Sequence, residues 1–260
     1  MNEDARWSDL GPRVISAVVL GVIASISVYV GGAIFLAFEC ILVGLMVWEV
    51  ARMFDASLPT ALGILAAVMV GAAAALPVML TLPLLAGASV VAASQAKEDR
   101  PLLFGAVLWI SLGGLAFLFI REESGLLWLV WLILVVISSD VAGYFAGRWL
   151  GGPKFWPAVS PKKTWSGTVA GWIAAGVVGA FFSVKLANLW IIVPLSIAAA
   201  FAGQMGDIAQ SAVKRRRGVK DSSNLIPGHG GVFDRFDAML GAGVLVLLLK
   251  KIGLVEMVGL

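Results

Sequence analysis

The stretch GLLWLVWLILVVISSDVAGYFAG, residues 125–147, indicates the fold class of this chain. It carries no charged residue before Asp140, and as a helix it is long enough to cross a hydrocarbon core of about 30 Å. Similar apolar runs recur throughout the 260 residues, which are 60% hydrophobic and only 13% charged. Soluble domains carry about 25% charged residues. We therefore predict an all-α, polytopic integral membrane protein.

Charged residues, Gly and Pro divide the apolar sequence into about nine predicted transmembrane helices. The stretch that follows Arg6 and Arg13 continues without a polar cleavage region, so we expect a retained first span and not a secretory signal. The single cysteine, Cys40, excludes an internal disulfide. The predicted spans are residues 13–30, 32–53, 59–76, 78–95, 102–120, 125–147, 165–184, 188–210 and 237–258.

The distribution of positive charge predicts the orientation of these spans. With the N-terminus inside, the inner segments hold fifteen of the nineteen Lys and Arg, as the positive-inside rule requires. Two long polar loops, 148–164 and 211–236, should therefore face the cytoplasm. The net positive charge of the chain then reflects its membrane topology and anionic partners at the inner surface. We expect no nucleic-acid partner.

Polarity also divides the sequence into two regions. Residues 1–130 comprise spans one to five and the start of span six, with short connections and little polar chemistry. Residues 131–260 contain both polar loops, and long loops in a compact protein are usually functional or disordered. We expect the catalytic region to lie in this second part.

Four aspartates lie at one predicted membrane depth, and ionisable groups within spans by default mark functional sites. Asp140 and Asp207 lie near the inner ends of spans six and eight, by a rise of about 1.5 Å per residue. Asp234 and Asp237 lie at the start of span nine and share one helix face. Carboxylates of this kind suit Mg²⁺, which commonly takes one or two of them. Pairing of each acid with a neighbouring Lys or Arg is the alternative.

Two further acids lie within the predicted spans. Glu49 is three residues from Arg52, a spacing that favours an ion pair on one helix face, so we assign it a structural role. Glu39 lies deeper in the second span and receives no role.

Two stretches have features of phosphate-binding sites. In SPKKT, residues 160–164, Thr164 or the nearby Ser166 can cap the following helix. Lys162 and Lys163 then oppose the helix dipole unless an anion lies nearby. The glycines of PGHGG, residues 227–231, precede another helix, where free N–H groups favour a phosphate. The alternatives are an ordinary positive-inside loop and, for His229, a contact that only stabilises its loop.

These motifs resemble those of the phosphatidate cytidylyltransferases, also called CDP-diacylglycerol synthases. The resemblance covers residues 140–240, and it includes SPKKT and Asp140 with the following GYFAG. Members of that family often carry Glu where this chain has Ser166. The ordered signature Ser-x-x-Lys-Arg, Lys-Asp, Pro-Gly-His-Gly-Gly and Asp-Arg-x-Asp corresponds to Ser211, Lys214, Arg215, Lys220, Asp221, residues 227–231, Asp234, Arg235 and Asp237.

The resemblance implies an enzyme that transfers a cytidylyl group from CTP to phosphatidate and releases pyrophosphate. It implies Mg²⁺, leaves room for a second cation, and suggests a homodimer in a bacterial-type cytoplasmic (inner) membrane, among membrane lipids. The implied catalytic residues are Asp207, Lys214, His229, Asp234 and Asp237. The implied phosphate, CTP or lipid-headgroup residues are Ser160, Lys162, Lys163, Thr164, Ser211, Arg215, Lys220, Asp221, Gly230, Gly231 and Arg235. The implied metal ligands are Asp140, Asp207, Asp234 and Asp237.

Three other functions deserve comparison with this hypothesis. A transporter would favour inverted repeats and acids at the membrane midplane, but the sequence shows no repeat and its acids gather at one interface. A lipid-binding protein with a polybasic loop does not require paired acids. A CDP-alcohol phosphotransferase requires Asp-Gly-x-x-Ala-Arg, which is absent from the sequence.

Overall fold

The computed structural model of this chain describes residues 10–186 and 189–253, without the side chains of residues 10, 12 and 13. Arg6 and the end of the ninth predicted span, residues 254–258, lie outside the described residues. Within them, the chain forms nine α-helices and one two-stranded sheet. By packing, the chain divides into two compact units, Met1–Leu118 with Arg216–Phe236, and Phe119–Arg215 with Asp237–Leu260. The predicted division at residue 130 follows polarity, whereas these units follow packing.

Small residues let helices of the first unit approach closely. A Cβ atom on Gly63 would lie 2.5 Å from the carbonyl oxygen of Gly44, so the backbones of α2 and α3 touch there. Pro59 occupies the start of α3, where its fixed φ favours a helix. The helices are α1 (Leu10–Val30), α2 (Gly32–Met53), α3 (Pro59–Ala75), α4 (Val78–Ser94) and α5 (Arg100–Phe119).

The second unit follows the same packing rule. A Cβ atom on Gly167 would lie 2.5 Å from the carbonyl oxygen of Gly143. The indole of Trp131 donates a hydrogen bond of 2.9 Å to the hydroxyl of Ser196. After a π-helical turn (Ile120–Ser124), the elements are α6 (Leu126–Trp149), β1 (Lys154–Trp156), β2 (Ser160–Thr164), α7 (Trp165–Phe182), α8 (Leu189–Arg216) and α9 (Phe233–Lys251).

Several helices have the length and composition of membrane spans. Among the described residues, five are long and apolar enough to cross a membrane: Gly32–Met53, Arg100–Ser124, Leu126–Trp149, Trp165–Phe182 and Leu189–Arg216. Three more apolar helical segments are shorter over the residues whose side chains are described: Val14–Val30 within α1, Pro59–Ala75 and Val78–Ser94. The nearly all-α fold and these long apolar helices indicate a membrane protein.

The two polar loops contain more regular structure than we predicted. Within 148–164, β1 and β2 form an antiparallel hairpin in which Lys154 lies opposite Thr164. At its base, the rings of Phe155 and Trp165 meet edge to face with centroids 4.7 Å apart. Within 211–236, α8 continues through Arg216 because no helix breaker precedes Gly218, whose φ is +70°. The irregular part of this loop is therefore 217–232.

Candidate active site

Asp207 and Asp237 are close because α8 and α9 cross at small residues. A Cβ atom on Gly206 would lie 2.5 Å from the carbonyl oxygen of Asp237 and 3.2 Å from the amide nitrogen of Gly241. Only a residue without a side chain permits this approach. The crossing therefore positions both carboxylates, whose charges interact.

Lys163 connects the hairpin to α8. Its Nζ atom lies 2.6 Å from Oδ2 of Asp207 and donates a hydrogen bond of 3.1 Å to the carbonyl oxygen of Gln204. The hydroxyl of Ser211, one turn further along α8, donates to Oδ1 of Asp207 over 3.4 Å. The Lys163 and Asp207 side chains are 23% and 34% exposed, so their attraction is screened less than that of a surface pair.

Asp140 and Lys214 complete a group of alternating charges. Asp140, on α6, interacts electrostatically with Lys163 and Asp207. Asp237 interacts with Lys214, Asp207 and Asp140. We call these five residues, Asp140, Lys163, Asp207, Lys214 and Asp237, the acidic–basic cluster. Three helices and the hairpin of the second unit supply it.

Gln204 is a residue of this region that sequence reasoning missed. Its Oε1 accepts a hydrogen bond of 3.0 Å from the indole of Trp172. Its Nε2 donates to the hydroxyl of Ser139 at 3.4 Å and to the carbonyl oxygen of Thr168 at 3.3 Å. These bonds join α6, α7 and α8 beside the carbonyl that binds Lys163. The sequence did contain a signal for this residue, since Gln204 is an amide side chain within an apolar span.

The hairpin ends in a capped helix, as predicted. The hydroxyl oxygen of Thr164 accepts a hydrogen bond of 3.2 Å from the amide of Gly167 at the start of α7, which satisfies one unpaired donor of the helix N-terminus. Ser166 donates to the carbonyl oxygen of Gly151 and so holds the preceding turn. In β2, Lys162 is exposed and Ser160 is half-buried.

The PGHGG segment forms a tight turn in the first unit. The amide of Ile226 donates to the carbonyl oxygen of Gly230 over 2.8 Å, and the amide of His229 donates to the carbonyl oxygen of Ile226 over 2.9 Å. Gly228 and Gly230 have φ values of +72° and +80°, a conformation that favours glycine. The segment therefore needs at least these two glycines for its own shape.

His229 contacts the first helix. Its Nδ1 atom lies 3.2 Å from the hydroxyl oxygen of Ser16 on α1, and that hydroxyl also lies 3.3 Å from the carbonyl oxygen of Pro227. This contact fits the loop-stabilising alternative. A bond from His229 to a substrate phosphate stays a prediction.

Asp234 binds its own loop at the start of α9. Its Oδ2 accepts hydrogen bonds from the amide of Ser222 at 2.8 Å, from the Ser222 hydroxyl at 2.9 Å and from the amide of Gly231 at 2.9 Å. A carboxylate in the first turn also interacts favourably with the helix dipole. These bonds give Asp234 a role in shaping the loop, and its role as a metal ligand stays a prediction.

The remaining predicted residues of this region are on the surface. Arg215 lies near the end of α8, Lys220 and Asp221 lie in the loop, and Arg235 lies in the first turn of α9. All four side chains are exposed. Their predicted contacts with substrate phosphates stay predictions.

Comparison with known proteins places the chain in a family. A model described as the cytidylyltransferase family matches residues 11–252. The chain belongs to this cytidylyltransferase family. The match includes every residue of the acidic–basic cluster and the whole loop 217–232, and it confirms the family resemblance predicted from the motifs. The chain is accordingly an enzyme, a nucleotidyltransferase.

Curated relatives agree with this assignment. Phosphatidate cytidylyltransferases of Brucella suis biovar 1 and Brucella abortus biovar 1 are each 36% identical to the chain over 263 residues, which covers 94% of both sequences. The phosphatidate cytidylyltransferase of Helicobacter pylori strain J99 is 38% identical over 155 residues, covering 59% of this chain and 57% of the relative.

Glu49 of this cytidylyltransferase-family chain has other partners than the one predicted for it. The predicted ion pair with Arg52 is wrong, because the Glu49 carboxylate accepts hydrogen bonds from Val232 and Phe233 of the signature region. The Arg52 guanidinium instead lies over the Trp48 ring, 4.9 Å from its centroid. The position of Glu49 in an apolar span signalled an unusual role, but its partners are more than 170 residues away in sequence.

The acidic residues can be compared with the needs of a metal ion. Within residues 10–186 and 189–253, there is no group of three or more His, Cys, Asp or Glu side chains arranged to hold one. Mg²⁺ needs only one or two carboxylates because water and phosphate oxygens complete its shell. Asp207 and Asp237, whose charges interact, are carboxylates of the kind that such an ion takes, and their role as metal ligands stays a prediction.

Proposed function

We propose that this chain transfers a cytidylyl group from CTP to phosphatidate, which yields CDP-diacylglycerol and pyrophosphate. The observation that carries the proposal is the acidic–basic cluster, since two anionic substrates can react only where positive charge brings them together. Four of its members, Asp140, Lys163, Lys214 and Asp237, belong to the motifs that the sequence shares with phosphatidate cytidylyltransferases. The names of the relatives support the same substrates.

The proposed reaction is an in-line displacement at phosphorus. A phosphate oxygen of phosphatidate attacks the α-phosphorus of CTP and forms the new P–O bond. The bond from that phosphorus to the bridging oxygen of the β-phosphate breaks, and pyrophosphate leaves with the electron pair. The nucleophile is already an anion, so no strong general base is required, and the protein contributes positioning and charge neutralisation.

The lysines of the cluster are suited to this neutralisation. Lys163 is held by Asp207 and by the Gln204 carbonyl oxygen, so its ammonium is fixed before any substrate binds. Lys214 supplies a second positive charge that interacts with Asp237. Groups that are already oriented need little reorganisation when charge develops on the leaving pyrophosphate.

Mg²⁺ is part of the proposal, with Asp207 and Asp237 as its ligands and with room for a second cation. The support is chemical: interacting carboxylates repel one another, and a bound cation would relieve that repulsion. When bound, Mg²⁺ supplies positive charge to the phosphate oxygens. Asp140 also interacts with both carboxylates, and its negative charge would stabilise the bound cation as well.

The proposed location is the cytoplasmic (inner) membrane of a bacterium, with the cluster facing the cytoplasm and the chain as a homodimer. The positive-inside asymmetry supports the orientation, and the long apolar helices support the membrane. The homodimer rests on the family resemblance. Access to CTP requires the cytoplasmic side, and the phosphatidate headgroup lies at the membrane surface.

The decisive experiment is an assay of the purified full chain in detergent with CTP, phosphatidate and Mg²⁺. We expect pyrophosphate to be released and CDP-diacylglycerol to form only when all three are present. Omission of each component in turn is the control. Solute transport by reconstituted protein, with no nucleotide turnover under these conditions, would contradict the proposal in favour of the transporter alternative.

A further inference from the structure

The carboxylate of Glu49 joins α2 to the far end of the signature loop. The residue is 0% exposed, and both of its oxygens are engaged. Oε1 accepts hydrogen bonds from the Ser223 hydroxyl at 2.6 Å and the Val232 amide at 2.8 Å. Oε2 accepts hydrogen bonds from the Phe233 amide at 2.8 Å and the Ser222 hydroxyl at 3.0 Å. Four donor groups from the two ends of the segment 222–233 thus converge on one side chain.

This set of bonds matches the chemistry of an ionised carboxylate. A carboxylate offers about four lone-pair sites; three donors point to Glu49 alone, and the Ser222 hydroxyl is shared with Asp234. Val232 and Phe233 stand at the beginning of α9, where amide groups have no partner within the helix and a negative charge is stabilised by the helix dipole. The polar groups of Glu49 therefore receive partners despite complete burial.

Ser222 connects Glu49 to Asp234. Its hydroxyl oxygen lies 3.0 Å from Oε2 of Glu49 and 2.9 Å from Oδ2 of Asp234, and its amide donates to Asp234 as well. The single hydroxyl hydrogen can point to only one carboxylate at a time. A displacement of Glu49 therefore changes the bonds that orient Asp234.

Gly231 lies against the same two groups. A Cβ atom there would lie 2.5 Å from Oε1 of Glu49 and would overlap the hydroxyl of Ser222. The amide of Gly231 donates to Asp234 over 2.9 Å. This glycine is therefore required by the approach of the Glu49 carboxylate, apart from any contact with a substrate phosphate.

We infer that Glu49 is a positioning residue for the reaction proposed above, on which the inference rests. Its carboxylate fixes the segment 222–233 and, through Ser222 and Gly231, sets the orientation of Asp234 and of the PGHGG turn. Its role is indirect, because both of its carboxylate oxygens are engaged by the loop. The loop that holds the predicted phosphate-binding residues is thus anchored by an acid of the second helix.

The test compares Glu49→Gln with Glu39→Gln. Both acids lie on α2 and both are buried, at 0% and 5% exposure, but among the described residues only Glu49 forms hydrogen bonds with the loop. In the Glu49→Gln variant, one carboxylate oxygen becomes an NH₂ group that faces two donors, so their bonds are lost. Hydrogen exchange of the purified full chain, followed in peptides covering residues 218–233, should be about tenfold faster in Glu49→Gln. It should be unchanged in Glu39→Gln.

Kinetics provide the second measurement. In Glu49→Gln we expect a roughly tenfold higher KM for CTP and a similar rise in the Mg²⁺ concentration for half-maximal rate. A purely structural defect would lower the amount of active enzyme and leave both constants unchanged. Absence of wild-type turnover would count against the proposed function, while hydrogen exchange, which needs no substrate, would still decide whether Glu49 holds the loop.

A second variant decides the test if Glu49→Gln fails to fold. Ser223→Ala removes one donor to the carboxylate and also the acceptor of the Leu225 amide, so the exchange is read in peptides covering residues 226–233. These peptides should still exchange faster, and the KM for CTP should rise. Unchanged hydrogen exchange of the loop in a folded Glu49→Gln variant, or in Ser223→Ala if Glu49→Gln does not fold, would overturn the inference. Equal acceleration in Glu39→Gln would also overturn it, since that result indicates a general loosening of α2.

Discussion

The Nζ atom of Lys163 and the Oδ2 atom of Asp207 form an ion pair of 2.6 Å that joins the β-hairpin to α8. The pair has consequences for the proposed reaction, because a substrate phosphate would compete with Asp207 for the same ammonium. The Gln204 carbonyl oxygen, 3.1 Å from Nζ, would keep Lys163 in place during that exchange. The hairpin is therefore a part of the candidate site as well as a connection between two helices.

Replacement of Lys163 by Met should strongly impair the reaction. The substitution removes the fixed positive charge and leaves Asp207 without its partner, so we expect kcat/KM for CTP to fall about 100-fold. Lys154→Met is the matched control, since Lys154 lies in the same hairpin and is exposed. Equal rates in the two variants would show that the position of Lys163 has no special importance.

Cysteine labelling can test the predicted orientation. Single cysteines at Ala158 and Asn224, both exposed, would be introduced in a Cys40→Ser background. We expect both to resist an impermeant thiol reagent in intact cells and to react after the membrane is opened. A cysteine at the exposed Lys185, on the predicted outer side, should react without opening. Labelling of Ala158→Cys and Asn224→Cys from outside would reverse the proposed topology.

The electrostatic grouping of Asp140, Asp207 and Asp237, three of the four aspartates predicted at one depth, could be anticipated from the sequence because it depends on regular geometry. Helices rise about 1.5 Å per residue, so the position of an acid within a span gives its depth. The small residues around Gly206 and Gly241 then account for the close crossing of α8 and α9. Depth and helix packing are both local properties of the sequence.

The contacts of Glu49 and the hairpin could not be anticipated in this way. Glu49 has a nearby cation, Arg52, at helical spacing, and this local signal outweighed partners that become neighbours only through the fold. The strands Lys154–Trp156 and Ser160–Thr164 have three and five residues, too few for an alternating pattern to emerge. Both errors arise where tertiary contacts decide the structure.

Gly231 provides a test of the loop geometry. An alanine Cβ atom would overlap the Ser222 hydroxyl and lie 2.5 Å from Glu49 Oε1, so the loop must move. We expect Gly231→Ala to lower the free energy of unfolding by about 1–3 kcal/mol and to lower turnover per folded molecule. Gly105→Ala is the control, because a Cβ atom there meets no atom within 4 Å. Thermal unfolding in detergent and the pyrophosphate assay would measure the two effects, and similar stability losses in both variants would contradict the steric argument.

Asp207 and Asp237 provide the test of the metal proposal, because their carboxylates interact and suit an ion that takes one or two of them. Asp207→Asn or Asp237→Asn keeps the side-chain shape and removes its charge, so we expect a roughly 100-fold loss of turnover at saturating CTP and a higher Mg²⁺ requirement. Chelation should abolish wild-type turnover, and added Mg²⁺ should restore it. Asp55→Asn is the matched control: Asp55 pairs with Arg217 at 3.4 Å, and its φ of +50° suits Asn equally well. Folded Asp207→Asn and Asp237→Asn variants with wild-type rates at limiting Mg²⁺ would remove these two aspartates from the metal site and leave the cytidylyl transfer to be explained by the lysines alone.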